Sequence, residues 1–177
     1  MTERRGYEIE LRAKGRRLEG YAALFGTEAR LATMRETIAP GAFAASLGGG
    51  SDILALVDHD PARVMARTRS GTLRLAEDSR GLAFDLDVPD TQAGRDVLAL
   101  AERGDLGGMS FGFTATDERM NGDLRELRAV TLFEISVVCG WPCYDGTVVQ
   151  ARSLFQPCPH RDHAARALHL AGLSPWA

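Results

Sequence analysis

A histidine, a serine and a glutamate, widely separated in this 177-residue chain, are the side chains best suited to hydrolytic chemistry. His59 is the one histidine of four that lies within the first 150 residues, and it follows the apolar run Ile53-Leu54-Ala55-Leu56-Val57 in the segment Val57-Asp58-His59-Asp60-Pro61. A buried strand ending there delivers the imidazole from a rigid point, and a neutral imidazole is the natural general base for a hydroxyl nucleophile. The competing reading is a half-exposed histidine that caps a turn with Asp58 or Asp60. Ser110 sits in Gly107-Gly108-Met109-Ser110-Phe111-Gly112-Phe113. Alternation places Met109, Phe111 and Phe113 on one face of a strand and Ser110 on the other, where the glycines clear space and leave amides open to a substrate. A glycine-rich strand crossing another element closely explains the same residues without chemistry. Glu134 lies between Leu132-Phe133 and Ile135-Ser136-Val137-Val138. A carboxylate in so apolar a run is costly to bury unless paired, and orienting a base histidine is one such pairing. Its alternative is a solvent-facing position on the polar side of the strand.

Two other patterns are weaker. Residues 108–112 match G-x-S-x-G, the nucleophile elbow of α/β-hydrolases, but that elbow needs a strand–turn–helix and a histidine late in the chain. Here Thr114 to Asp123 is polar and turn-like where a helix would be needed, and only His160, His163 and His169 could serve. Cys139, Cys143, Cys158, His160 and His163 suggest zinc, yet their spacing is irregular and spare thiols explain the cysteines better. Three cysteines late in a chain make no disulfide framework.

The elements that must hold these residues are mostly short strands. Residues 7–13 and 17–25 alternate around Lys14-Gly15-Arg16 as a hairpin. Pro40 opens a short helix to about residue 47, ended by Gly48-Gly49-Gly50. Strands are predicted at 52–58, 72–76 and 81–88, and a helix at 91–103 with Gly104 as its stop. Residues 107–116 and 124–138 are strands, with a charged turn at 117–123. Strand and helix do not alternate, which argues against a parallel sheet. The predicted fold is mainly β with flanking helices, an antiparallel barrel or sandwich.

Basic residues number 21 and acidic 24, which excludes the clearly basic surface that nucleic-acid binding needs. Only Lys14 is a lysine, so the arginine surplus reflects genome composition rather than an electrostatic footprint. No apolar run reaches the roughly 18 residues of a membrane span, and residues 1–12 lack the apolar core of a signal peptide; a cytoplasmic protein is expected. Residues 1–150 hold 18 basic against 23 acidic residues, a net −5, while the remainder holds three arginines against one aspartate, +2. With Pro157 and Pro159 as punctuation and a small amphipathic helix at 163–173, this divides the chain into a domain at 1–152 and a basic tail at 153–177.

From about residue 18 to 147 the chain resembles the prohead (procapsid maturation) proteases of tailed phages and phage-like gene-transfer particles. The resemblance rests on ordered pieces: residues 19–25 (EGYAALF), 36–43 (ETIAPGAF), 56–61 (LVDHDP) and 70–75, then Arg80-Gly81-Leu82, residues 103–106, 108–113 (GMSFGF), 134–138 (EISVV) and Pro142 to Tyr144. The family implies a serine endopeptidase whose fold is similar to the herpesvirus assemblins, an antiparallel barrel wrapped by helices. Carried over by position, His59 matches the catalytic histidine and Ser110 the nucleophile. Glu134, 24 residues on from Ser110, takes the third position by resemblance. Two departures stand out. Ala66 precedes Arg67-Thr68 where the family usually has glycine, and Cys143 replaces the alanine of Pro-Ala-Tyr after Cys139-Gly140-Trp141. The family implies as substrates the scaffolding region of the major capsid protein and the protease itself, inside assembling procapsids in the bacterial cytoplasm. Neither metal nor cofactor, nucleic acid nor membrane is expected, and a homo-oligomer is. The tail reads as a removable targeting or assembly segment. A catalytically silent capsid- or scaffold-binding module with the same barrel is the alternative, and an α/β-hydrolase esterase the more distant one.

Overall fold

Period-two alternation of apolar and polar residues runs through most of the chain, and strands form where it does. A computed structural model describes residues 2–139 except 8–10, 15, 32 and 33. In chain order its elements are β1 (Glu3–Tyr7), β2 (Leu11–Lys14), β3 (Arg17–Leu24), β4 (Ala29–Arg30), β5 (Arg35–Ile38), α1 (Ala44–Gly48), β6 (Leu54–Val57) and β7 (Asp60–Arg67). There follow β8 (Leu73–Glu77), β9 (Gly81–Asp87), α2 (Gln92–Arg103), β10 (Gly108–Asn121) and β11 (Leu124–Val138). The protein is mainly β with few helices. No helix among the described residues is long and apolar enough to cross a membrane.

The strands make two sheets. The smaller is antiparallel in the order β2-β3-β9-β8. The larger runs β1-β10-β11-β5-β4, and β6 pairs with the later part of β11 while β7 pairs with β6. β11 is long enough to carry two neighbours in tandem on one edge: β5 along 124–127 and β6 along 134–137, both parallel to it. The expectation of a wholly antiparallel arrangement fails there. Each parallel strand reaches β11 over a crossover of many residues, which a reading of local turns does not register. Hydrogen bonding among the described residues leaves two open sheets and no closed barrel.

Several local expectations also shift. The hairpin forms between β2 and β3, but Glu3–Tyr7 belongs to the other sheet, beside β10. The short helix begins at Ala44, after a turn through 40–43. β4, β5 and β7 were not anticipated. Residues 117–121 continue β10, so the charged stretch is an extended hairpin turning only at Gly122-Asp123. The basic tail, Cys143, Cys158 and the late histidines lie outside the described residues. α2 matches its prediction closely. Thr91 accepts the Gly94 amide at 3.2 Å, and Gly104 at φ 72° ends the helix in the left-handed region that glycine occupies without a Cβ clash.

One core serves both sheets. Leu18, Leu82, Phe84 and Leu86 of the small sheet join Met109, Phe111, Phe113, Ile135 and Val137 of the large one. Phe43, just before α1, packs edge-on against Phe111 with ring centroids 5.5 Å apart. Into this core β1 sends Arg5, which is fully buried. Its guanidinium forks onto buried Glu36 at 2.5 and 2.7 Å and reaches Glu3 at 2.7 Å. Arg125 bonds both carboxylates as well, at 2.8 and 2.5 Å to Glu3 and 2.9 Å to Glu36. Burial alone would raise the Glu3 carboxyl, but the hydrogen bonds and charges of Arg125 and Arg5 outweigh it and hold it below its ordinary value. Glu3 therefore adds stability in full above the ordinary carboxylate range, and the gain is lost as pH falls through its lowered value. Removing one partner strands the other charge, so Glu36→Ala should lower the unfolding free energy by about 3–5 kcal/mol, measured as a drop in denaturant midpoint at unchanged slope. The network ties β1 to β5 and β11 across β10, the strand that carries Ser110.

Candidate active site

Val57 pairs with Asp60, so the link from β6 to β7 is a two-residue hairpin with Asp58 and His59 as its central residues. Both have positive φ, 51° and 61°, as a type I′ turn demands. Asn-Gly or Asp-Gly usually fills such a turn. A histidine held there in the left-handed region costs of order 1–2 kcal/mol, and positions of this kind persist where their surroundings over-determine them. The surroundings here do so. The Asp58 amide donates to the Val137 carbonyl at 2.9 Å, Asp58 Oδ1 accepts the Cys139 amide at 2.9 Å, and the His59 amide donates to Ser136 Oγ at 3.2 Å. Every anchor comes from the end of β11 or the residue just after it.

The same strand supplies the partner of the ring. His59 Nδ1 lies 2.8 Å from Glu134 Oε1, and Ser136 Oγ donates to Oε2 of that carboxylate at 2.5 Å. An ionised carboxylate can only accept, so Nδ1 carries the hydrogen, which in the neutral ring leaves the lone pair on Nε2. That is the tautomer a general base needs. Glu134 is buried at 7% exposure and is not solvent-facing. A bulge accounts for its aim. Gly112 pairs with Glu134 and Phe113 with Leu132, leaving Phe133 as the extra residue of β11. The extra residue changes the phase of the strand, so Leu132 and Ile135 both enter the core while Glu134 and Ser136 face the other way.

Ser110 shares that outer face. On β10 it stands directly across from Ser136, with Gly6 of β1 on its other side. Met109, Phe111 and Phe113 fill the opposite face, all at 1% exposure or less. Directly paired residues of antiparallel strands have Cα atoms about 5 Å apart, so Ser110 is one strand-step from the hydroxyl that joins His59 to Glu134. The structure thus bonds His59 to Glu134 and sets Ser110 beside them. The bonds of His59 run to Glu134 and Ser136, not to Ser110. Ser110 is itself buried at 4% exposure.

Two contributors went unassigned in the sequence. Ser136 was readable only as part of an apolar strand, though its place two residues after Glu134 puts it on the same face. Gly112 makes room: a Cβ built there would come within 2.4 Å of Glu134 Oε1. Cys139, whose amide bonds Asp58, follows β11 at this corner. Burial first, and then the charge of Asp58, push its thiol up to about 11, so it stays protonated at neutral pH. Alkylation mapped to Cys139 at pH near 8 should be much slower than for an ordinary exposed thiol. Among the described residues no group of side chains is arranged to hold a metal ion.

No match was found among curated proteins or among solved structures. The sequence model of the caudovirus prohead serine proteases matches residues 6–159. That span takes in β2 through β11, with the serine strand, the histidine hairpin and the strand that supplies the carboxylate. A match over most of the chain, on a strand-rich fold, places this protein in the caudovirus prohead serine protease family.

Proposed function

We propose that this capsid maturation protease cuts the scaffolding region of the major capsid protein, and its own chain, inside assembling procapsids, with Ser110 as nucleophile, His59 as general base and Glu134 as the acid that orients it. Ser110 Oγ attacks the scissile carbonyl carbon while His59 Nε2 takes its proton. The imidazolium, steadied by Glu134, returns that proton to the leaving amine, and the acyl-enzyme is then hydrolysed by water through the same steps. The observation that carries the reading is the 2.8 Å bond from His59 Nδ1 to Glu134 Oε1, on a sheet face shared with Ser110. Contacts between nucleophile and base are often long before substrate binds and tighten in the complex. The assemblin-type barrel belongs to this proposal too, supported by the strand-rich architecture. The esterase alternative loses its footing, since residues 108–112 lie within one uninterrupted strand with no turn or helix behind the serine.

A fluorophosphonate probe, which reacts with activated serines, tests the assignment. An adduct on Ser110 that disappears in His59→Asn supports it. An unlabelled wild-type chain that still binds capsid protein points to the silent capsid-binding module. Capsid trimming by co-expressed Ser110→Ala at the wild-type level removes the proposal.

A further inference from the structure

Resting on that reading of the site, we infer that Arg4, on the N-terminal strand, is a positioning residue that holds the Glu134 carboxylate and lowers the basicity of His59. Arg4 pairs with Gly112 across β1 and β10, which puts it in the same row as Gly112 and Glu134. Its Nε lies 3.9 Å from Glu134 Oε1, the oxygen that His59 uses. That Nε is buried and has no hydrogen-bond partner among the described residues. A buried donor left unpaired is costly, so an N–H kept beside a carboxylate it does not quite reach is a poised contact. A modest shift of either side chain would close it. β1 cannot drift to avoid this placement, because Arg5, the next residue, is locked into the core through Glu36.

The charge has a direction of effect. A cation beside Glu134 offsets part of the negative field that the carboxylate casts on the His59 ring. The other charged groups around the pair are Asp58 and Asp60 flanking His59, Arg63 bonded to Asp58 at 3.1 Å, and Asp96 of α2 on the side of Cys139. Arg67, nearby on β7, is taken up by Asp52. Among the described residues Arg4 is the one cation within ion-pair distance of Glu134.

The test uses the full-length chain and the rate of Ser110 labelling by a fluorophosphonate, followed from about pH 5 to 9, the range in which histidine titrates. Arg4→Gln should remain folded and reactive, with the acid limb of its profile moved up by about 0.5–1 pH. Arg4→Lys, which keeps the charge, should restore much of the wild-type position. If Arg4 served only to seat β1, labelling by Arg4→Gln would fall by one factor at every pH with the limb unmoved, and that result overturns the inference. Thermal melts of both variants show whether the strand stays seated; an Arg4→Gln chain that melts early while Arg4→Lys keeps the wild-type melt and limb is likewise counted against it. Loss of labelling in Ser110→Ala and His59→Asn separates the two claims. Should those variants label like wild type, the triad itself is wrong, whereas an unmoved limb with a working triad removes Arg4 alone.

Discussion

His59→Asn is expected to lower capsid-protein cleavage by roughly 10⁴-fold or more while leaving the melting temperature close to wild type. The size of the loss follows from the role. In the proposed mechanism nothing but the imidazole takes the Ser110 proton in the attack or returns it to the leaving amine, and triad members removed singly cost nearly as much as the whole set. The mildness for the fold follows from the backbone. His59 sits at φ 61° in a two-residue turn, and asparagine tolerates that region better than other non-glycine residues. Its amide can also donate toward the Glu134 carboxylate, so the buried acid is not abandoned. Alanine is the poorer choice, because it offers neither the conformational tolerance nor the donor. The measurement pairs a cleavage time course with a thermal melt. Cleavage within tenfold of wild type would mean that His59 is a turn residue and no base.

Gly112→Ala is the second large effect, and it acts at a distance from the reacting atoms. The added methyl would fall 2.4 Å from Glu134 Oε1, with the Glu134 Cδ and Cγ at 3.1 Å. The nearest atom is the far end of a flexible side chain, so the carboxylate swings aside and the sheet holds. The displaced oxygen is the one bonded to His59 Nδ1. A loss near 10²-fold in kcat is expected, as for other misplacements of about 1 Å, with KM little changed and a melt within a few degrees of wild type. Gly81→Ala offers a contrast, since its Cβ would meet the Ala23 carbonyl oxygen at 2.0 Å, a backbone atom that cannot yield cheaply. That variant should lose stability, whereas Gly112→Ala should lose activity. Equal losses of stability in both would undo the distinction.

Much of this protein was legible along the chain because its signals are local. Alternation in 81–87 and 108–113 marked strands and sorted Phe111 from Ser110 before any coordinates. Thr91 and Gly104 bracketed a helix because capping is decided within one turn. The difficulty began where pairing is remote. β5 has four residues and β7 eight, both mix charged with apolar side chains, and they are strands because β11 and β6 offer them edges. Charged residues 117–121 read as a turn, yet β11 captures them into a ladder.

The sequence by itself determined the residue types for hydrolysis, the strand-rich class and the phase that keeps Ser110 off the core face, since each depends on neighbours a few positions apart. Tertiary structure alone decided that His59 meets Glu134, 75 residues away. It did so through a bulge at Phe133 that re-aims the carboxylate and a parallel pairing of β6 with β11 that sets the hairpin tip beside it. Parallel register and bulge position are fixed by which side chains fill a shared core. That is a property of the packed chain, and no short window of residues contains it.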